Sequence, residues 1–320
     1  MQVFSDSWSS EELPSTSVAT VGNFDGIHRG QHRVISTTVS RARALDIGSV
    51  VVTFEPHPLD VLRKQRPPQR ITLRDQKRRL IELIGVDTLA EIEFSPRFAT
   101  TPARSFVEDF LVGRLGVREL YVGSRFRFGQ GREGNLQLLE EMGGALGFQV
   151  RGLEEEEYAE GTISSTRIRD AVRAGRVESA AEMLGRSFAV IGTVIHGEGR
   201  GKQHGWPTMN MDVEHELMPA DGVYASEVWL PASQQLLPGV TNIGSRPTFP
   251  GSSAVVVETH IFDFDRDIYG QRVELGFAGR IRGETRFDSV EALIRQIEDD
   301  AKSAREYLSR KDCSHIVPTL

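Results

Sequence analysis

Apolar positions along the first half of the chain fall into short runs rich in β-branched residues, at Val18–Gly22, Ser49–Phe54, Thr88–Phe94 and Glu119–Gly123. Between them lie segments with helical spacing, Gln31–Leu45, Leu73–Gly85 and Leu136–Leu146. Continuous apolar strands separated by helix-length segments predict βαβ units and a parallel sheet. Ile163–Gly185 is predicted helical, with Ser164, Ser165 and Thr166 as capping candidates, Gly175 as a break and Val177–Leu184 as a second short helix. Beyond Gly185 the pattern changes. Val190–Ile195, Val223–Trp229, Val240–Ile243, Val255–Phe262 and Arg272–Phe277 are extended runs broken by Gly and Pro, without helices between them. Such strands predict a small barrel. A last helix is expected over Ser289–Leu308, with Val290, Leu293, Ile294, Ile297 and Ala301 on one face. The fold class is therefore α/β plus all-β, with domains expected at 1–185 and 186–320.

Composition narrows the picture. The chain has 320 residues, 39% hydrophobic and 26% charged, the mixture of an ordinary globular protein of two-domain length. One cysteine, Cys313, excludes a disulfide framework and a cysteine metal site. The first residues lack a basic segment followed by an apolar core, so no secretory signal is expected. With no apolar run near the ~18 residues that span a bilayer, a cytoplasmic protein is expected. A net charge of −7 argues against general nucleic-acid binding. One stretch runs against that charge: Arg63, Lys64, Arg66, Arg70, Arg74, Lys77, Arg78 and Arg79 stand against the single acid Asp75. It reads as a solvated face balanced by Glu154–Glu157, or as local help for an anionic small molecule.

The candidate chemistry sits where strands hand over to helices or turns. Asn23, Gly26, His28 and Gly30 lie in the turn from the first strand into the first helix, where glycines let backbone approach phosphate and the helix N-terminus offers free N–H groups. A histidine there can donate to phosphate oxygens as charge builds, although a plain βα turn has much the same sequence. His57, between two prolines after the second strand, reads equally as a ligand or as part of a fixed loop. Ser165, Thr166 and Arg169 read as a second phosphate clamp or as an N-cap with surface cations. In the second half, Gly197, Gly199, Gly201 and Lys202 suit a loop that wraps phosphates, a hairpin turn being the alternative. Thr208 and Asn210, two apart, would face one side of a strand and offer hard oxygen ligands. Glu258 shares a strand face with Val256, His260 and Phe262, as a surface carboxylate or a positioned base.

The ordered segments GNFDGIHRG, TFEPHP, VGSRFRFGQGREGN and ISSTRIR resemble the adenylyltransferase module of the prokaryotic bifunctional riboflavin kinase/FAD synthetases. GTVIHGEGRGKQHGWPTMNM, GVYA, GVTNIGSRPTF, VETHIFDFDRDIYG and QIEDDAKSAR resemble the riboflavin kinase module of the same family. The resemblance runs from about Ser17 to Leu308 and implies a Rossmann-like nucleotidyltransferase domain followed by a β-barrel kinase domain. It implies transfer of AMP from ATP to FMN, with His28, Asn23, Gly30 and His57 along the nucleotide, Ser165, Thr166 and Arg169 as second clamp, and Phe126 and Phe128 near the flavin. It also implies phosphorylation of riboflavin with ATP and Mg²⁺, with Thr208 and Asn210 on metal and nucleotide and Glu258 as base. The expected partners are riboflavin, FMN and ATP, with self-association open and neither nucleic acid nor membrane among them.

Two positions depart from that pattern. Where the family reads HxGH, this chain has Gln31 followed by His32, and Arg125 stands where the family has Asp or Asn. Adjacent helical residues point about 100° apart, so His32 cannot stand in for the missing histidine. Gln31 can hydrogen-bond but carries no charge. The alternatives are a kinase whose front domain has become a flavin- or nucleotide-binding regulator, or an enzyme acting on a flavin analogue.

Overall fold

The computed structural model describes residues 1–5, 13–62, 67–159, 161–197, 205–249 and 252–310. It divides into two compact units, Met1–Pro68 with Thr72–Ile163, and Gln69–Ile71 with Ser164–Leu320. Among the described residues no helix is long and apolar enough to cross a membrane.

The first unit holds strands β1 (Gln2–Ser5), β2 (Ser17–Val21), β3 (Gly48–Glu55), β4 (Thr88–Glu93), β5 (Val117–Gly123) and β6 (Gln149–Leu153). They form one parallel sheet in the order β1-β4-β3-β2-β5-β6. Its helices are α1 (Arg29–Leu45), α2 (Pro58–Leu62), α3 (Arg74–Leu83), α4 (Ala103–Ser105), which runs into a π-helical turn over Phe106–Val112, and α5 (Leu136–Leu146). Strand alternation builds two cores: Val50 and Val52 join Phe106, Phe110 and Leu139 on one face, while Val51 joins Ile35, Val39 and Ile81 on the other. The interior strands were legible because both of their faces are apolar. The edge strands β1 and β6 were not, since most of their residues are exposed or only half-buried.

From β2 the chain winds outward through β3 to β4, then crosses back to β5 on the other side of β2. The β2/β5 boundary is therefore the switch point of the sheet, where open α/β sheets take ligands at their carboxyl edge. The turn after β2 and the segment after β5 flank it.

The second unit begins with α6 (Ser165–Arg173) and α7 (Val177–Leu184). Strands β7 (Phe188–Ile195), β8 (Met209–Val213), β9 (Gly222–Leu230), β10 (Gln235–Phe249), β11 (Ser252–Ile261) and β12 (Arg272–Gly283) close into an antiparallel barrel, β10-β11-β8-β7-β12-β9. The two helices pack with the barrel, and the compact units part between Ile163 and Ser164. The reason is local. Glu178 accepts from the Arg280 backbone N–H at 2.7 Å, and the turn at Gly175, φ 70°, passes close to Tyr224 and Arg280. Burial pushes the Tyr224 phenol up to about 12.

Helix α8 (Val290–Arg310) covers part of the outer barrel face through Ala301, Ala304 and Leu308, packed with Val223, Ala225, Val240 and Phe262. Its apolar stripe is not buried throughout. Val290 and Leu293 are exposed, because contact with the barrel is made by the later turns of the helix.

Three cations of the basic stretch find acids close by rather than in Glu154–Glu157. Arg74 and Arg78 both donate to Glu91 on β4, and Lys77 pairs with Glu55 at 3.6 Å. Arg63, Lys64 and Arg66 lie outside the described residues. Burial alone would raise the Glu91 carboxyl, but the Arg78 and Arg74 bonds hold it below its ordinary value. Such a group stabilises above the ordinary carboxylate range, and the effect is lost as pH falls through the lowered value. Glu91→Gln is expected to cost roughly 2–3 kcal/mol at pH ~7. Urea melts of the two proteins should converge as the pH drops below ~4, and an equal gap at both pH values would contradict this account.

Candidate functional site

The turn after β2 is held by its own bulky residues. Phe24 and Ile27 adopt positive φ angles of 48° and 41°, and Gly26 one of 95°. For non-glycine residues that backbone is costly, on the order of 1–2 kcal/mol each, and persists only where packing enforces it. Here Phe24 and Ile27 are 3% and 2% exposed, members of the core with Ile35 and Val51. The Phe24 ring lies over Gly22, where a Cβ would approach it to 2.9 Å. Asp25 accepts from the Thr72 N–H, and the Gly26 N–H donates to the Thr72 hydroxyl, both at 3.2 Å. Sequence reading missed these anchors; an aromatic and an aliphatic residue within a glycine turn were the available signal.

His28 is the N-cap of α1. Its Nδ1 accepts from the Gln31 N–H at 3.4 Å, and the Gln31 Oε1 accepts from the His28 N–H at 3.2 Å, a reciprocal capping box. With Nδ1 accepting, the neutral ring carries its proton on Nε2. Gln31, the residue standing in the place of a histidine, is thus tied to the His28 backbone, and His32 is exposed. Asn23 is exposed, with its carbonyl accepting from the Thr53 hydroxyl at 3.2 Å. A Cβ at Gly30 would come within 3.4 Å of the His28 ring, so the two pack closely.

His57 is 5% exposed, and its Nδ1 accepts from the Leu59 N–H at 3.1 Å, a bond that shapes the start of α2. Phe126 and Phe128 stack with centroids 5.4 Å apart and planes 11° apart. Phe128 is buried against Phe106 and is part of the core, with Phe126 partly buried beside it. Arg125 points outward and pairs with Glu155 at 2.9 Å, while Arg29 pairs with Glu156 at 3.3 Å. The acidic run therefore answers cations of its own unit.

In the second unit Ser164 caps α6, accepting from the Arg167 N–H at 3.3 Å. Ser165 is half-buried and Thr166 exposed. Arg169 is buried, with Nε donating to the Gln69 carbonyl at 2.7 Å.

The barrel brings distant residues together. Glu258 on β11 is the register partner of Asn210 on β8, which in turn faces Ile195 on β7. On the other side Glu258 pairs in register with Asn242 on β10. Met209, Met211, Val257 and Thr259 point into the buried interior, so by alternation Asn210 and Glu258 share the outer face. A cavity of about 690 Å³ lies there, lined by Gly197, Asn210 and Glu258 among others. A Cβ at Gly197 would meet the Asn210 amide at 2.1 Å, so a side chain there would displace that amide. His196, Asp212 and His215 also line the cavity and were not singled out from sequence. Thr208 is half-buried immediately before β8. Gly199, Gly201 and Lys202 lie outside the described residues.

Comparison with known proteins covers both units. A family model described as FAD synthetase matches residues 10–167, and one described as riboflavin kinase matches residues 184–308. The bifunctional riboflavin kinase/FMN adenylyltransferase of Escherichia coli strain K12 is 38% identical over 91% of this chain and 92% of its own length. The protein of the same name from Pseudomonas fluorescens is also 38% identical, over 90% of this chain and 92% of its own length. A crystal structure described as a macrolide-efflux protein from Streptococcus pneumoniae has a TM-score of 0.86 at 31% identity, over 95% of this chain and 98% of that one. With family models matched in both halves and relatives 38% identical along about nine-tenths of both chains, this chain belongs to the family of bifunctional riboflavin kinases/FMN adenylyltransferases.

Proposed function

We propose that the chain carries out two consecutive ATP-dependent steps, riboflavin to FMN in the barrel domain and FMN to FAD in the α/β domain, in the cytoplasm. The functional domains are assigned to 1–185 and 186–320, which keeps α6 with the adenylyltransferase motifs. The observation that carries the kinase assignment is the register pairing of Asn210 with Glu258 on a cavity wall.

In the kinase step Glu258 takes the proton of the riboflavin 5′-hydroxyl as its oxygen bonds to the γ-phosphorus of ATP, and the bond to ADP breaks. Gly197, Gly199, Gly201 and Lys202 wrap the phosphates. Hard oxygen donors, few in number and beside a phosphate loop, suit Mg²⁺, which keeps water and phosphate ligands of its own. Thr208 and Asn210 would hold it, and when bound it would offset phosphate charge.

In the adenylyl step an FMN phosphate oxygen bonds to the α-phosphorus of ATP, and pyrophosphate leaves. His28 offers its Nε2–H to the phosphates at the helix start, with Asn23, Gly30 and His57 along the nucleotide. Ser165, Thr166 and Arg169 form the second clamp. Phe126 and Phe128 would form the flavin's apolar side, with the exposed Arg125 turned to Glu155.

Glu258→Gln should leave ATP binding intact and lower FMN formation by about 10²–10⁴-fold; turnover near that of the parent would remove Glu258 from the role of base. Gly197→Ala forces the Asn210 amide to move and should lower FMN formation about tenfold or more with little change in thermal melting. A chromatographic time course with ATP and Mg²⁺, started from riboflavin and separately from FMN, tests the two-step reading. FAD is expected from both. His28→Ala should slow FAD formation roughly 10²–10³-fold. FMN accumulating without FAD in the parent protein would reduce the chain to a kinase.

A further inference from the structure

The sheet ladder between β8 and β11 stops one residue short of Thr208. Its last pair is Thr259 with Met209, and continuing the register would set His260 against Thr208 and Ile261 against Pro207. Proline has no N–H to donate, so Pro207 cannot extend the ladder as a donor. The segment leading into Thr208 is instead reached by a side chain. His260 Nδ1 lies 2.8 Å from the Pro207 carbonyl oxygen. A carbonyl only accepts, so Nδ1 carries the proton and the ring is the donor.

The imidazole is also wedged by its neighbours. Trp206 meets it edge to face at 4.8 Å and 70°, and Phe262 at 5.8 Å and 68°. Phe262 is backed by Arg305 of α8, whose guanidinium lies 4.1 Å from the ring centre and pairs with Asp263 at 2.8 Å. Such edge-to-face contacts fix ring orientation beyond the area they bury. His260 stands two residues after Glu258 and so projects from the same outer face of β11. One strand therefore carries Glu258 and, a step further on, the group that holds the backbone next to Thr208.

We propose that His260 is a positioning residue of the kinase site. Its Nδ1–H bond to the Pro207 carbonyl tethers the segment beyond the end of the ladder and keeps Thr208 in line with Asn210 and Glu258. The inference rests on the riboflavin kinase reading of the barrel, and on Thr208 handling the nucleotide there. It assigns His260 no contact with substrate.

The two parts of the contact can be separated by substitution. His260→Phe keeps an aromatic ring between Trp206 and Phe262 but has no donor. His260→Asn loses the ring but places an amide N–H near the position of Nδ1. Steady-state FMN formation by the full chain, with thermal melting of each variant, is the measurement. His260→Phe should raise the KM for ATP about five- to tenfold, the range expected for one lost hydrogen bond, with the KM for riboflavin moving less than twofold. His260→Asn should restore the KM for ATP to within about threefold of the parent. A parent protein that makes no FMN would overturn the kinase reading itself. A parent that makes FMN, with His260→Phe matching it in KM for ATP, would overturn the positioning role alone. So would a fall in kcat in both variants with unchanged KM values, since that reports loss of folded protein. Should His260→Phe not fold, the role stands only if His260→Asn keeps the parental KM for ATP, and falls if it does not.

Discussion

Closure of the barrel is the constraint on which the second half of the molecule depends. Each of its six strands is paired on both sides, so no strand can slip by one residue without turning its apolar side chains outward. That parity puts Val257 and Thr259 inside and Glu258 outside, and puts Met209 and Met211 inside and Asn210 outside. The interior is further locked by hydroxyls: Ser226, Thr241 and Thr259, all fully buried, bond in a chain at 2.6 and 2.8 Å across three strands. A buried hydroxyl left without its partner is costly, so the register they share is strongly specified. The outer face left uncovered by α8 is then the place where a cavity can form, and its polar wall follows from the register.

In the first unit a different device does the positioning. The parallel sheet supplies a carboxyl edge and a switch point, but the turn that uses them is bent by Phe24 and Ile27 in left-handed backbone. Their burial holds the strain, so the core beneath the turn and the shape of the turn are one problem. Asp25 and Gly26 fasten the same turn to Thr72. The helix that follows begins with His28 as cap, which unites the placing of the histidine with the start of the helix.

The two departures from the family pattern are absorbed locally. Gln31 closes the capping box and so orients His28, and Arg125 finds an acid in Glu155. Charge pairing throughout this unit is short-range: Arg74 and Arg78 on Glu91, and Arg41 on Glu119 at 2.7 Å. At physiological salt, exposed charges more than about 8 Å apart are largely screened, so short pairs with a buried acid keep most of their attraction. Within the basic stretch, Arg74, Lys77 and Arg78 thus meet acids of neighbouring strands, Glu91 and Glu55.

Hydrophobic period and glycine placement determined much by themselves. The interior strands, α1, α3 and α5, the change from a parallel sheet to a barrel after Gly185, and the segments that carry Asn23, His28, Asn210 and Glu258 all follow from local pattern, because local pattern is set by which faces must be buried. The edge strands β1 and β6 and the short β8 were not legible, since an edge needs no apolar period and β8 has five residues. Nor did sequence order reveal that α6 and α7 lie with the barrel, that Glu258 stands beside Asn210, or that His260 reaches Pro207. Those are pairings between residues about 50 to 100 positions apart, decided by strand register and by which buried donors find acceptors. A one-dimensional pattern records which face a residue takes; only the closed sheet decides what stands next to it.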